Sequence, residues 1–146
     1  MFDCNQQEIS LDILKQCSGK TVVLDAGSWK PNVEQFLQRA DVVIASEVFV
    51  NPEGKNIFEP DICPAAHKVI TRGERSVLYQ TAEVEVPQVT AVGTLGAGDI
   101  FHGAFCFAYF EKQQPLKEAL EFAVKIASES VKYKGPRACL EYLNNK

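Results

Sequence analysis

The segment Gly93 to Phe101 (GTLGAGDIF) gathers three glycines, a threonine and a carboxylate just ahead of an apolar stretch. If that stretch is a helix, its first turn carries N–H groups with no intrahelical partner, and the aligned peptide dipoles place about half a positive charge there. A phosphate suits such an end. Gly96 and Gly98 let the main chain approach an anion with no side chain in the way, and Ala97 is nearly as small. The amides of Ala97, Gly98 and Asp99 would then meet negative charge developing on a transferred phosphoryl group, at about 3 to 4 kcal/mol per well-placed donor. Asp99 stands in the same turn, in position to accept a proton from an attacking hydroxyl. The pattern is an anion site with a base beside it. The same residues also suit an ordinary glycine turn that ends on an acidic helix-opening residue. Two commoner nucleotide signatures are absent, because the chain has no GxxxxGK[ST] and no third glycine completes GxGxxG.

The elements that must hold this turn read as an α/β pattern. Ile9, Ile13, Leu14 and Cys17 fall at helical spacing over residues 8–18, and Gly19 closes that helix. Thr21 to Asp25 (TVVLD) is a short apolar strand suited to cover on both faces. Residues 32–40 carry Val33, Phe36, Leu37 and Ala40 on one helical face, and Val42 to Ala45 (VVIA) follows as a second buried strand. Strand, helix, strand implies a right-handed crossover and a mainly parallel sheet with helices packed on it. Residues 51–66, with Pro52, Pro60 and Pro64, read as a loop with room for one short helix. Lys68 to Thr71, Ser76 to Tyr79 and Glu83 to Val86 are further strands, the last two suited to a hairpin. Ile100 to Phe110 forms an apolar helix. Leu116 to Tyr133 forms another, with Leu120, Ala123, Val124, Ala127 and Val131 on one side, and Gly135 and Pro136 stop it. With no repeat or linker, residues 1–146 read as one α/β domain.

The 146 residues, 46% hydrophobic and 23% charged, suffice for a core. A net charge of −4 gives no electrostatic reason to expect nucleic-acid binding. Five scattered cysteines, with no CxxC pair, suggest thiols in a reducing compartment rather than a zinc site or disulfide framework. The N-terminal MFDCNQQEIS lacks a basic segment followed by an apolar run, and no stretch approaches a membrane span, so a cytoplasmic location is expected.

The run Thr94 to Phe105 (TLGAGDIFHGAF) resembles the C-terminal signature of PfkB (ribokinase-like) carbohydrate kinases, DTxGAGDxFxGAF. Upstream, Val69 to Glu74 (VITRGE) is similar to the family's strand end near the ATP phosphates, and Glu118 to Ala123 with Lys134-Gly135 matches the helices that flank its adenine pocket. The resemblance covers the chain from about residue 20 to its end and implies the C-terminal portion of a ribokinase-like, Rossmann-type sheet. It implies transfer of the ATP γ-phosphoryl group to a sugar hydroxyl, with Mg2+ bridging the phosphates. Asp99 is then the base, and Gly96, Ala97 and Gly98 form the anion hole. It further implies nucleotide contacts at Thr71, Gly73, Ala127 and Ser128.

Three departures accompany the match. Gly93 replaces the family's leading aspartate, which helps bind a monovalent cation, so potassium activation is not expected. The NxxE motif linked to magnesium reads Ser46-Glu47-Val48-Phe49, which leaves Glu47 as a weak candidate acting through phosphate or water. The family's N-terminal half, which carries the sugar-binding residues and a small β lid, has no counterpart, and self-association or a missing half is expected. Of the remaining candidates, His102 shares Asp99's helical face but suits packing at the helix start, and His67 has no assigned role. Trp29 suits cover over the sheet edge, and Arg72 and Arg75 flank Gly73 as surface turn residues. A catalytically impaired nucleotide-binding relative and a nucleoside kinase of the same superfamily are the competing functions.

Overall fold

The computed structural model describes residues Met1–Asn144. In chain order the elements are β1 (Phe2–Asp3), α1 (Gln7–Gln16), β2 (Val23–Ala26), α2 (Val33–Leu37), β3 (Val42–Ser46), β4 (His67–Arg72), β5 (Arg75–Tyr79) and β6 (Ala82–Val84), then α3 (Ala97–Cys106), a π-helical turn (Phe107–Glu111), α4 (Leu116–Ser130) and α5 (Pro136–Asn144). The strands form one sheet in the order β1-β2-β3-β4-β5-β6. The first four run parallel, with Leu24 opposite Phe2, Val23 opposite Val42 and Val42 opposite His67. Only two residues separate β4 from β5, and two separate β5 from β6, so these neighbours can pair only antiparallel.

The described chain divides into two compact units, Met1–Gly73 with Val77–Glu83, and Glu74–Ser76 with Val84 onward. In the first, α1 and α2 return the chain between parallel strands. Leu24, Val43 and Ala45 from the sheet are buried with Leu14, Val33, Phe36 and Leu37 from the helices. Arg39 ties the α1–β2 connection: its Nη2 donates to the carbonyls of Cys17 at 2.6 Å and Lys20 at 3.1 Å. In the second unit, α3 packs on α4, and Phe101 and Phe105 of α3 and Ala119, Leu120, Ala123 and Val124 of α4 are buried.

The strands and main helices largely follow the sequence pattern. Residues 51–66 form the expected loop, with turns where there was room for a short helix: Asn51 Oδ1 accepts from the amides of Glu53 and Lys55, Asn56 Oδ1 accepts from Phe58, and Ile57 and Cys63 anchor the segment in the core. These Asx turns satisfy the backbone locally, in competition with a helix. The helix expected from residue 100 begins at Ala97 and leaves α-geometry at Phe107, where the Lys112 amide reaches back to the Phe107 carbonyl at 3.1 Å. Pro136 does not only stop α4; it opens α5, the first-turn position where a missing N–H does no harm. Strand β1 also has no counterpart in the sequence reading.

Candidate functional site

The glycine turn is built from several short pieces of the second unit. The carbonyl of Val131, just past α4, accepts from the amides of Val92 at 2.8 Å and Gly93 at 3.1 Å, which fixes how the chain enters the turn. A Cβ on Gly93 would sit 3.4 Å from the Tyr133 carbonyl oxygen. The Ala97 amide donates to Thr94 at 3.1 Å, and the first helical bond runs from Ile100 to Gly96 at 3.0 Å. Gly96 has φ of 79°, a left-handed conformation that glycine adopts without strain, so the chain can turn into α3.

That geometry narrows the expected anion hole. The amide of Ala97 is already engaged by Thr94, whereas no protein acceptor among the described residues engages those of Gly98 and Asp99. Gly98 lies inside α3 with ordinary helical backbone, and a Cβ there would meet nothing within 4 Å. Neither backbone conformation nor packing therefore requires glycine at 98. Gly98 and Asp99 are both exposed residues at the start of α3. His102 is buried, 5% exposed, with its Nδ1 2.7 Å from the Gly98 carbonyl and its ring edge-on to Phe101.

Ala127 and Ser128 lie near the C-terminal end of α4. Ala127 is half-buried, and its carbonyl accepts from the Ser130 hydroxyl at 2.7 Å, while Ser128 is 8% exposed and faces inward.

In the first unit, the C-terminal ends of β3 and β4 bring Glu47 and Thr71 together. Ser46 is opposite Thr71 in the parallel register, and the Glu47 amide donates to the Thr71 carbonyl at 2.9 Å. Ligands gather at this end of open α/β sheets. Thr71 is half-buried with its hydroxyl 3.3 Å from the Ala45 carbonyl, Glu47 is exposed, and Gly73 turns the chain with φ of 65°. Arg72 pairs with Glu83 at 3.6 Å, so its charge is directed across the strands, and Arg75 is exposed. Phe49 is 1% exposed against Trp29, with ring centroids 5.1 Å apart, so Trp29 serves as packing. No three His, Cys, Asp or Glu side chains gather into a metal-holding group among the described residues. Magnesium is commonly held by one or two carboxylates together with substrate phosphates, a role for which Glu47 is the exposed carboxylate at this end of the sheet.

Comparison with known proteins gives the class. The chain belongs to the pfkB family of carbohydrate kinases, whose family model matches residues 13–143. It is similar to ribokinase of Schizosaccharomyces pombe, at 38% identity over 51% of this chain and 25% of that protein, and to ribokinase of Staphylococcus aureus, at 32% identity over 92% of this chain and 49% of that protein. The chain thus spans about half the length of the curated relatives it matches, or less. Aminoimidazole riboside kinase from Salmonella enterica, solved with aminoimidazole riboside and an ATP analog, shares the fold with a TM-score of 0.74 at 19% identity, over 99% of this chain and 60% of that one. The ribokinase-like α/β architecture expected from the sequence is thereby shown. No helix of the described residues is long and apolar enough to cross a membrane.

Proposed function

We propose that the chain, as one domain, is the ATP-binding and catalytic portion of a cytoplasmic sugar kinase. A hydroxyl of the acceptor attacks the γ-phosphorus of ATP, the bond to the bridging oxygen of ADP breaks, and the hydroxyl proton passes to the Asp99 carboxylate. The Gly98 and Asp99 amides receive the charge on the transferred group, with the Gly96 and Ala97 backbone shaping the turn. Magnesium arriving with the nucleotide would neutralise phosphate charge, and Glu47 is the residue that would help hold it, through phosphate or water. Thr71, Gly73, Ala127 and Ser128 complete the nucleotide contacts that the family resemblance implies.

The observation that carries this reading is Gly98: a helical glycine with open space where a Cβ would be, next to an exposed carboxylate. A residue that the fold does not need as glycine is explained by an anion that must come close. The acceptor is a sugar, which the likeness to ribokinases supports, with a nucleoside as the alternative. The test is phosphate transfer from ATP to a panel of sugars and nucleosides, with Asp99→Asn beside the unaltered chain. Transfer should fall by about 100- to 10,000-fold in the variant. Equal transfer by the two would remove Asp99 as base.

A second reading, an impaired nucleotide-binding relative acting as a regulatory or interaction module, is favoured by Phe49, which fills the family's acidic position with a core aromatic. Binding of MgATP without transfer to any acceptor would select it.

A further inference from the structure

The hydrogen bond from His102 to Gly98 bears directly on the first turn of α3. Nδ1 lies 2.7 Å from a carbonyl oxygen, which only accepts, so Nδ1 carries the proton. The Gly98 carbonyl and the Asp99 amide belong to one planar trans peptide, in which C=O and N–H point in opposite directions. In α3 the Gly98 carbonyl points along the helix axis, and the ring's donation reinforces that orientation, which keeps the Asp99 N–H aimed out of the helix start. The ring is itself held, because it is 5% exposed and edge-on to Phe101 at 6.0 Å between centroids. Donation into the carbonyl also polarises the peptide and strengthens its N–H as a donor.

We propose that His102 is a positioning residue, which orients and polarises the Asp99 amide toward the terminal phosphate of a bound nucleoside triphosphate. This rests on the reading of the α3 start as the phosphate site. His102 touches neither substrate nor reacting atoms; it acts through the peptide between Gly98 and Asp99.

Side-chain geometry supplies the test. The amide nitrogen of asparagine can stand where Nδ1 stands, that of glutamine reaches toward the place of Nε2, and leucine has no donor. The affinities of the 146-residue chain for MgATP and for AMP, which lacks the terminal phosphates, are measured by calorimetry for the unaltered protein and for His102→Asn, His102→Gln and His102→Leu, with the melting temperature of each. The ATP-to-AMP affinity ratio should stay within about twofold in His102→Asn and fall about tenfold in the other two, the size expected for one hydrogen bond to a charged group. A merely structural histidine would lower melting temperatures and leave the ratio unmoved. An unchanged ratio in His102→Gln and His102→Leu overturns the inference while leaving the phosphate site standing. No preference for MgATP over AMP in the unaltered chain overturns both.

Discussion

Pro136, the first residue of α5, closes against Gly96, the residue that precedes α3: a Cβ built on Gly96 would lie 3.3 Å from the Pro136 Cγ. The terminal helix thus buttresses the glycine turn, and Gly96 combines a left-handed backbone with a tight neighbour. Gly96→Ala should lower stability by about 1 to 2 kcal/mol from the backbone conformation alone, with the proline ring adding to it. The midpoint of urea unfolding measures this, and an unshifted midpoint would show that the turn tolerates a side chain.

Phe49, at the position where the family resemblance would put an acid, is a core residue. Phe49→Ala should cost about 3 to 5 kcal/mol, a large part of a typical domain's 5 to 15 kcal/mol. Phe49→Glu, which restores the family's residue type, should be no better, because the carboxylate would enter the space beside Trp29 without a partner. Circular dichroism under denaturant follows both. A stable Phe49→Glu variant would mean that the segment can turn its side chain outward.

Burial pushes the Cys4 thiol up to about 11, against the opposing pull of Lys30 and with small additions from Asp3 and Asp25. Between pH 9 and 11 the unfolded thiol loses its proton while the folded one keeps it, so the folded state binds more protons and stability falls as pH rises. The contribution is intact below pH 9. Urea midpoints at pH 8 and pH 10.5 should therefore drop less in Cys4→Ala than in the unaltered chain. Parallel drops would place the pH dependence elsewhere.

Much of this fold was legible because its signals are local and periodic. The parallel core strands announce themselves as TVVLD, VVIA and KVIT, and α4 carries its apolar face at helical spacing. Pro136 reads as the stop of α4, and that it also opens α5 was not legible, because a proline after one helix and a proline at the first turn of the next look alike in sequence. The glycine turn was visible by composition, yet its amides were not individually distinguishable. That the Ala97 amide turns back on Thr94, while those of Gly98 and Asp99 stay open, depends on the Gly96 dihedral and has no signature in residue type. His102 carried the same ambiguity, since burial and service to the turn require the same histidine.

The central claim is that the open amides at the start of α3 receive the terminal phosphate of ATP, and Gly98→Ala tests it most directly. Alanine fits helical backbone and meets no neighbour there, so folding stability should hold or rise by up to about 1 kcal/mol. Titration calorimetry with MgATP should show the unaltered chain binding and the variant weakened about tenfold or more, as a methyl group stands between amide and phosphate. Equal MgATP affinity in the two proteins, at equal stability, would contradict the account.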